Sequence, residues 1–253
     1  MFVTIITISY NAEELIERTI RSILNQSSTD YEYLIVDGAS KDKTLEIAKS
    51  FKNDFTDKDV PFRWISAPDN GIYDAMNKGL KMAKGDYIWF VNCGDSIASS
   101  TVLSEIIQKN SDSSADFIYG ETQIVHFDGS IMGARRLKAP KKLTWKKFRM
   151  GMLVCHQSML VRTSIAPFFE TNYRYSSDFD WAIKCLKKSN NILNVEQILS
   201  LFLDGGVSKS KMKASLKERF EIMALNYGWF PTALRHGWFV LRAGWFKLVH
   251  GWI

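Results

Sequence analysis

The sequence predicts an α/β fold, a mostly parallel central sheet flanked by helices, and two observations carry that expectation. Over the first 95 residues, short apolar runs rich in branched side chains alternate with helix-periodic segments. Strands alternating with helices fold as a parallel, doubly wound sheet. Two of the runs also end near a carboxylate at a glycine turn, Asp37-Gly38 and Gly94-Asp95. In an open sheet of this kind ligands bind beyond the carboxyl ends of the strands.

The elements follow in order. Thr4–Ser9 is a strand, and a helix from about Ala12 places Ile16, Ile20, Ile23 and Leu24 on one face. Tyr33–Val36 is the second strand, with Leu45, Ala48 and Phe51 on the inner face of the helix after it. Asp42 suits the cap of that helix better than a ligand role. Phe62–Ser66 is the third strand, after a polar stretch, Asn53–Asp59. Ile72, Ala75, Met76, Gly79, Leu80 and Ala83 give the clearest helical period, closed by Gly85, and Tyr87–Val91 is the fourth strand. Beyond Asp95 the pattern is less regular. Val102–Gln108 reads as helix, Phe117–Tyr119 and Thr122–Phe127 as strands with a turn at Asp128-Gly129, and Ser158–Arg162 as another strand. A helix near Asp180–Lys188 and a strand near Ile192–Val195 complete the body. No linker interrupts it, so one domain is expected over 1–208, with a nucleotide half (1–95) and an acceptor half (96–208), followed by a helical tail over 209–253.

Composition narrows the class. The hydrophobic fraction of 46% with 24% charged residues is that of an ordinary globular protein. Three scattered cysteines form neither a disulfide framework nor a zinc motif. Val3–Ile8 is too short and too β-branched for a signal core, and no apolar run reaches the ~18 residues of a membrane span. A cytoplasmic protein is expected. The net charge of +6 is concentrated: nine Lys/Arg and no acid lie between Gly129 and Phe169. Such a block predicts an anionic neighbour, whether phosphate, acidic lipid or nucleic acid, or else a solvated basic face.

The tail carries Gly-Trp pairs at 237–238, 244–245 and 251–252, seven residues apart, interleaved with Arg235, Arg242 and Lys247. Tryptophan beside basic residues on an amphipathic helix suits a bilayer interface. The period also fits a helix–helix seam between copies of the chain, or packing on the protein's own body.

Three motifs occur in order: Thr7-Ile-Ser-Tyr-Asn11, Val36-Asp-Gly-Ala-Ser-Lys-Asp-Lys-Thr44 and Pro68-Asp-Asn-Gly-Ile-Tyr-Asp-Ala-Met-Asn-Lys-Gly79. Together they resemble the inverting family-2 nucleotide-sugar glycosyltransferases of the GT-A (Rossmann-like) type. The last motif, with Phe90-Val-Asn-Cys-Gly-Asp95 and Ser176-Ser-Asp-Phe-Asp-Trp181, is similar to bacterial capsule and exopolysaccharide enzymes of the colanic-acid cluster type. The resemblance implies that Ser9 and Tyr10 line a nucleoside pocket and that Asp37 bonds the base or ribose. Asp95 would hold Mg²⁺ or Mn²⁺ across the donor phosphates. Asp178 would be the base that deprotonates the acceptor hydroxyl, with Asp180 as the alternative and Asp178 then a cap. His156 and Trp181 are acceptor-site candidates, against structural roles for both. The implied partners are a nucleotide-sugar donor and a saccharide acceptor on polyprenyl diphosphate, with no nucleic acid. The basic block (135–149) and the tail would hold the enzyme on the inner face of the cell membrane.

The chain departs from the family pattern in four places. Gly94 replaces one carboxylate of the family's D-x-D motif, Met76 stands where many relatives carry Arg, and Ser177 precedes Asp178 in place of an acid. A histidine that often ligates metal is absent from Asp204-Gly-Gly-Val-Ser208. Two rivals follow: a catalytically silent membrane adaptor with a degraded donor site, and a sugar-nucleotide nucleotidyltransferase. The latter requires a Gly-rich basic loop where this chain reads Ser9-Tyr-Asn-Ala-Glu13.

Overall fold

The computed structural model describes residues 1–205 and 211–250, with side chains as far as Phe239. The parallel core is β1 (Val3–Ser9), β2 (Tyr31–Asp37), β3 (Phe62–Ser66) and β4 (Tyr87–Phe90). β1 pairs in parallel with β2 and β4, and β2 with β3. Helices α1 (Ile16–Leu24), α2 (Thr44–Ser50), α3 (Lys52–Asp57) and α4 (Ile72–Met82) make the crossovers. Both faces of this sheet are covered, which is why its strands read as continuous apolar runs. Successive residues of β1 serve opposite sides. Val3 and Ile5 join a core with Ile16, Ile20 and Ile23 of α1; Ile6 and Ile8 join a second with Ala75 and Met76 of α4.

The less regular half extends the same sheet. It comprises β5 (Ser96–Ile97), α5 (Val102–Asn110), β6 (Phe117–Val125), β7 (Ile131–Ala134), β8 (Met159–Arg162), α6 (Ser177–Lys188) and β9 (Ile192–Leu203). Among the described residues one nine-stranded sheet runs β3-β2-β1-β4-β8-β6-β9-β5, with β7 on β6. β8 is antiparallel to β4 and β6 and joins the halves. Its N-terminal end therefore lies at the carboxyl end of β4, which brings the second half of the chain to the strand ends of the first.

Several boundaries differ from the sequence expectation. Residues 12–15 are a turn, so α1 starts at Ile16. The polar stretch Asn53–Asp59 contains most of α3, which buries only Phe55. α4 ends at Met82, before Gly85. The segments 117–119 and 122–127 belong to one strand, β6. Its Gly120 accommodates the Gln197 carbonyl, which would stand 2.5 Å from a Cβ there.

The tail forms α7 (Met212–Tyr227) and α8 (Trp229–His250). α7 belongs to the body: Ile222 and Met223 are buried in the α4-side core, and Glu218 accepts the backbone N–H groups of Arg174 and Tyr175, both at 2.9 Å. The boundary at 208–209 and the Gly251-Trp252 pair lie outside the described residues.

Candidate active site

The candidate crevice lies at the carboxyl ends of β1, β2 and β3, whose last residues Ser9, Asp37 and Ser66 stand in register. Asp37 ends β2 and is 1% exposed. Its Oδ1 accepts from the Ser9 and Ser40 hydroxyls, and its Oδ2 from Ser40 N–H (2.9 Å) and the Ser66 hydroxyl (2.6 Å). A carboxylate offers about four lone-pair sites, and all are used. Asp37 thus ties the ends of β1 and β3 to the loop after β2. Ser9, expected to line the pocket, is buried and braces Asp37 instead. Asn11 and Ala39 take left-handed backbone (φ 45° and 61°), unusual for residues with a Cβ. Asn11 locks its loop to the next through Ser40 and Lys41.

The residue that faces outward here is Tyr10, 62% exposed. Beside it stands Asp69, whose Oδ2 and the Tyr10 ring both lie within 3.2 Å of where a Cβ on Gly38 would be. Asp69 follows β3 in the Pro68-Asp-Asn-Gly71 motif, and no motif spacing marks it as a site residue. Its position after a strand end was the available signal. Asp42 braces the turn before α2: it accepts from Thr44 N–H (3.0 Å) and from Glu13 N–H (3.1 Å).

Beyond β4 a second cluster forms. Asp95 is 4% exposed, with Oδ2 accepting from Gln157 Nε2 (2.7 Å) and Oδ1 from Leu203 N–H (2.9 Å). Burial pushes its carboxyl up to about 6, against those two donors and His156. Only two of its lone-pair sites are used, so Asp95, unlike Asp37, retains capacity for a ligand. Asn92 contacts His156 Nε2 through Nδ2 at 3.0 Å, and its Oδ1 is buried without a partner. His156 Nδ1 lies 3.4 Å from Asp178 Oδ2, and the Tyr73 hydroxyl donates to Asp178 Oδ1 at 3.2 Å. Burial raises the Asp178 carboxyl, but the hydrogen bond and charge of His156, aided by Arg219, outweigh it and hold the group below the usual carboxylate range.

Asp95 and Asn92 thus offer hard oxygen donors of the kind Mg²⁺ and Mn²⁺ prefer, one or two carboxylates being the usual protein share. Among the described residues no three His, Cys, Asp or Glu side chains converge as a metal cage.

The departures acquire physical reasons. Gly94 has φ +94°, and a Cβ would meet Leu203 Cδ2 at 3.0 Å, so a carboxylate there would strain this turn. Met76 is fully buried in the core and points away from the crevice. Ser177 is buried, its hydroxyl without a partner. Asp180 is tied to Lys184 at 2.6 Å on another side of α6, while Asp178 faces His156 and Tyr73. Trp181 corrects an expectation. It is 2% exposed, stacked on Phe169 at 4.9 Å with its N–H on the Pro167 carbonyl, and belongs to the core. Of the Asp204–Ser208 segment only Asp204 and Gly205 fall within the described residues.

This arrangement has known counterparts. The sequence model for "Glycosyl transferase family 2" matches residues 4–166. The chain belongs to glycosyl transferase family 2. A PGL/p-HBAD biosynthesis glycosyltransferase of Mycobacterium tuberculosis is 27% identical over 187 residues, 72% of this chain and 68% of the relative. The putative teichuronic acid biosynthesis glycosyltransferase TuaG of Bacillus subtilis is 26% identical over 221 residues, 86% of each. Among solved structures, S. aureus TarS 1–349 with UDP-GlcNAc superposes with a TM-score of 0.74 at 19% identity, covering 93% of this chain and 66% of that one. The mannosyltransferase PcManGT of Pyrobaculum calidifontis with GDP-Man and Mn²⁺ gives 0.64 at 13% identity, covering 98% and 81%. This family-2 chain spans 39% of the longer TarS chain. These neighbours share its GT-A fold.

Proposed function

We propose that this glycosyltransferase acts by a single inverting displacement. It would move a sugar from a nucleotide donor to a hydroxyl of a lipid-linked saccharide during assembly of a bacterial surface polysaccharide. One observation carries the reading: Asp178 is held ionised by His156 beside the strand ends that form the donor crevice. A sugar hydroxyl is a weak nucleophile, and a positioned base contributes ~10²–10⁴-fold. Two of Asp178's lone-pair sites hold His156 and Tyr73, leaving room for the acceptor hydroxyl. As that oxygen bonds to the anomeric carbon, its proton passes to Asp178, and the bond to the nucleoside diphosphate breaks on the opposite face. Burial pushes the thiols of Cys93 up to about 12 and Cys155 up to about 11, so neither supplies a thiolate nucleophile at neutral pH.

Tyr10 and Asp69 would receive the nucleoside. Asp95 and Asn92 would hold Mg²⁺ or Mn²⁺, which when bound stabilises negative charge on the leaving diphosphate as a Lewis acid. The Mn²⁺ bound with GDP-Man in PcManGT and the UDP-GlcNAc in TarS support a metal and a nucleotide-sugar donor. The teichuronic acid role in the name of TuaG supports a surface polysaccharide. The glycine turn at Gly94, which leaves one family carboxylate out, favours the silent-adaptor alternative. Calorimetry with UDP, GDP and dTDP, with and without Mn²⁺, separates the two. The transferase reading expects one nucleotide to bind, tighter with Mn²⁺ and only in protein with Asp95 intact. Binding of none of them would favour the adaptor.

A further inference from the structure

The end of the molecule built by α7 and α8 carries a surface that the transferase site does not use. Five of its exposed large apolar side chains, Leu225, Trp229, Phe230, Leu234 and Trp238, fall at the junction of the two helices. α8 has two opposed faces. On one, Thr232 is fully buried, His236 meets the Phe220 ring edge-on at 5.0 Å, and Phe239 packs against the main core. On the other, Phe230, Leu234 and Trp238 recur at i, i+4 and i+8 and are 56–78% exposed. The sequence continues that spacing with Leu241, Trp245 and Leu248, and has no acid after Glu221.

An open apolar groove runs beside this face, lined by Met150, Pro231, Leu234, Arg235 and Trp238. Met150 ends the 3-10 turn Trp145–Met150, so the basic block borders the groove. Lys141, Lys142, Lys146, Lys147 and Arg149 are all exposed. The turn is fixed to the tail where Trp145 stacks on Tyr227 at 5.6 Å and the Tyr227 hydroxyl donates to the Trp145 carbonyl at 2.7 Å. A hollow of about 670 Å³ under Lys141, Lys142 and Lys146 has no acid in its lining.

We propose that the Phe230–Leu234–Trp238 face, framed by the cations of 141–149, seats on an anionic lipid bilayer. Aromatic and leucine side chains on one helix face, with basic residues at the margin, match the interface between acyl chains and headgroups. The exposed cations match the anionic leaflet. A second copy of the chain is the weaker occupant, because two-fold pairing sets identical patches together and would oppose two cationic rims. The inference deepens the transferase reading, on which it rests for its purpose. His156 lies six residues from Met150, a span of at most about 21 Å even fully extended. A short saccharide on a lipid diphosphate could bridge that distance from the bilayer to Asp178.

Flotation of the full chain with phosphatidylcholine vesicles, with and without phosphatidylglycerol, tests this. The protein should float with the anionic vesicles and release in high salt. The L234E/W238E double variant should lose binding, both side chains being exposed and the fold unaffected. A K141Q/K142Q/K146Q/K147Q variant should weaken anionic binding by at least about tenfold, each cation near the surface being worth about fivefold. No flotation with anionic vesicles, flotation unchanged in both variants, or a dimer that L234E/W238E dissociates would overturn the proposal. Nucleotide binding by the same samples tests the transferase reading alone.

Discussion

Replacing Asp95 with Asn should stabilise the ligand-free protein while removing metal-supported donor binding. Burial raises the Asp95 carboxyl from 3.8 to about 6. That shift, at 1.36 kcal/mol per pKa unit, means the ionised form costs the fold about 3 kcal/mol at neutral pH. An Asn at 95 keeps the Leu203 N–H bond through Oδ1, and Gln157 must turn its amide to present oxygen, giving up its contact with the Cys155 thiol. With about 1 kcal/mol lost in that exchange, the net gain is about 2 kcal/mol, or roughly 4–8 °C in Tm for a domain of this size. The gain depends on pH. Between 3.8 and about 6 the native wild type holds a proton that the unfolded chain has released, so its penalty fades on acidification. The difference in stability between the two proteins should shrink by more than about 1 kcal/mol from pH 7 to pH 5. Urea denaturation of both proteins at the two pH values measures it. A variant less stable than wild type at pH 7, or a pH-independent gap, would refute the claim that an unpaired buried charge is held there for function.

Three further outcomes are expected. Asp178→Asn should lower kcat by ~10²–10⁴-fold with KM for the donor unchanged, read in steady-state kinetics. Arg63→Ala removes the 2.6 Å partner of Glu32, which is 1% exposed; a buried carboxylate left without its cation costs about 3 kcal/mol, visible as a Tm lower by roughly 6 °C or more. Tyr10→Ala should raise donor KM about tenfold at constant kcat, because base stacking on an aromatic ring is worth ~1–3 kcal/mol.

The parallel half of the fold was legible because burial on both faces writes itself as branched apolar runs, as in Ile5–Ile8 and Leu34–Val36. α4 showed its helical period for the same reason. The acceptor half was harder to read, since its strands are shaped by one another. Gly120 divides β6 in the sequence yet is there to admit the Gln197 carbonyl. β9 continues past Val195 through Glu196, whose φ of 53° bulges the strand. β7 is a four-residue exposed edge whose apolar Ile131 and Met132 face solvent, so its sequence carries no alternation of buried and exposed positions.

The strand-end rule pointed to Asp37 and Asp95, and the motif resemblance to Asp178. How each carboxylate spends its lone pairs was not legible. Asp37 is saturated by Ser9 at the end of β1, Ser40 in the loop after β2 and Ser66 at the end of β3, whereas Asp95 is not. Nor did spacing reveal that His156 bridges Asn92 and Asp178, residues 64 and 22 positions away from it in the chain. Trp181 misled because its motif neighbour faces the site while the indole, three residues on, turns into the core.

Nucleoside diphosphate release from a panel of UDP-, GDP- and dTDP-sugars, in Mn²⁺ and with wild type beside Asp178→Asn, tests the central claim most directly. Release is expected from one donor and should fall at least about a hundredfold in the variant. Release that Asp178→Asn leaves unchanged would contradict the assignment of the base, and with it the chemistry built on this crevice.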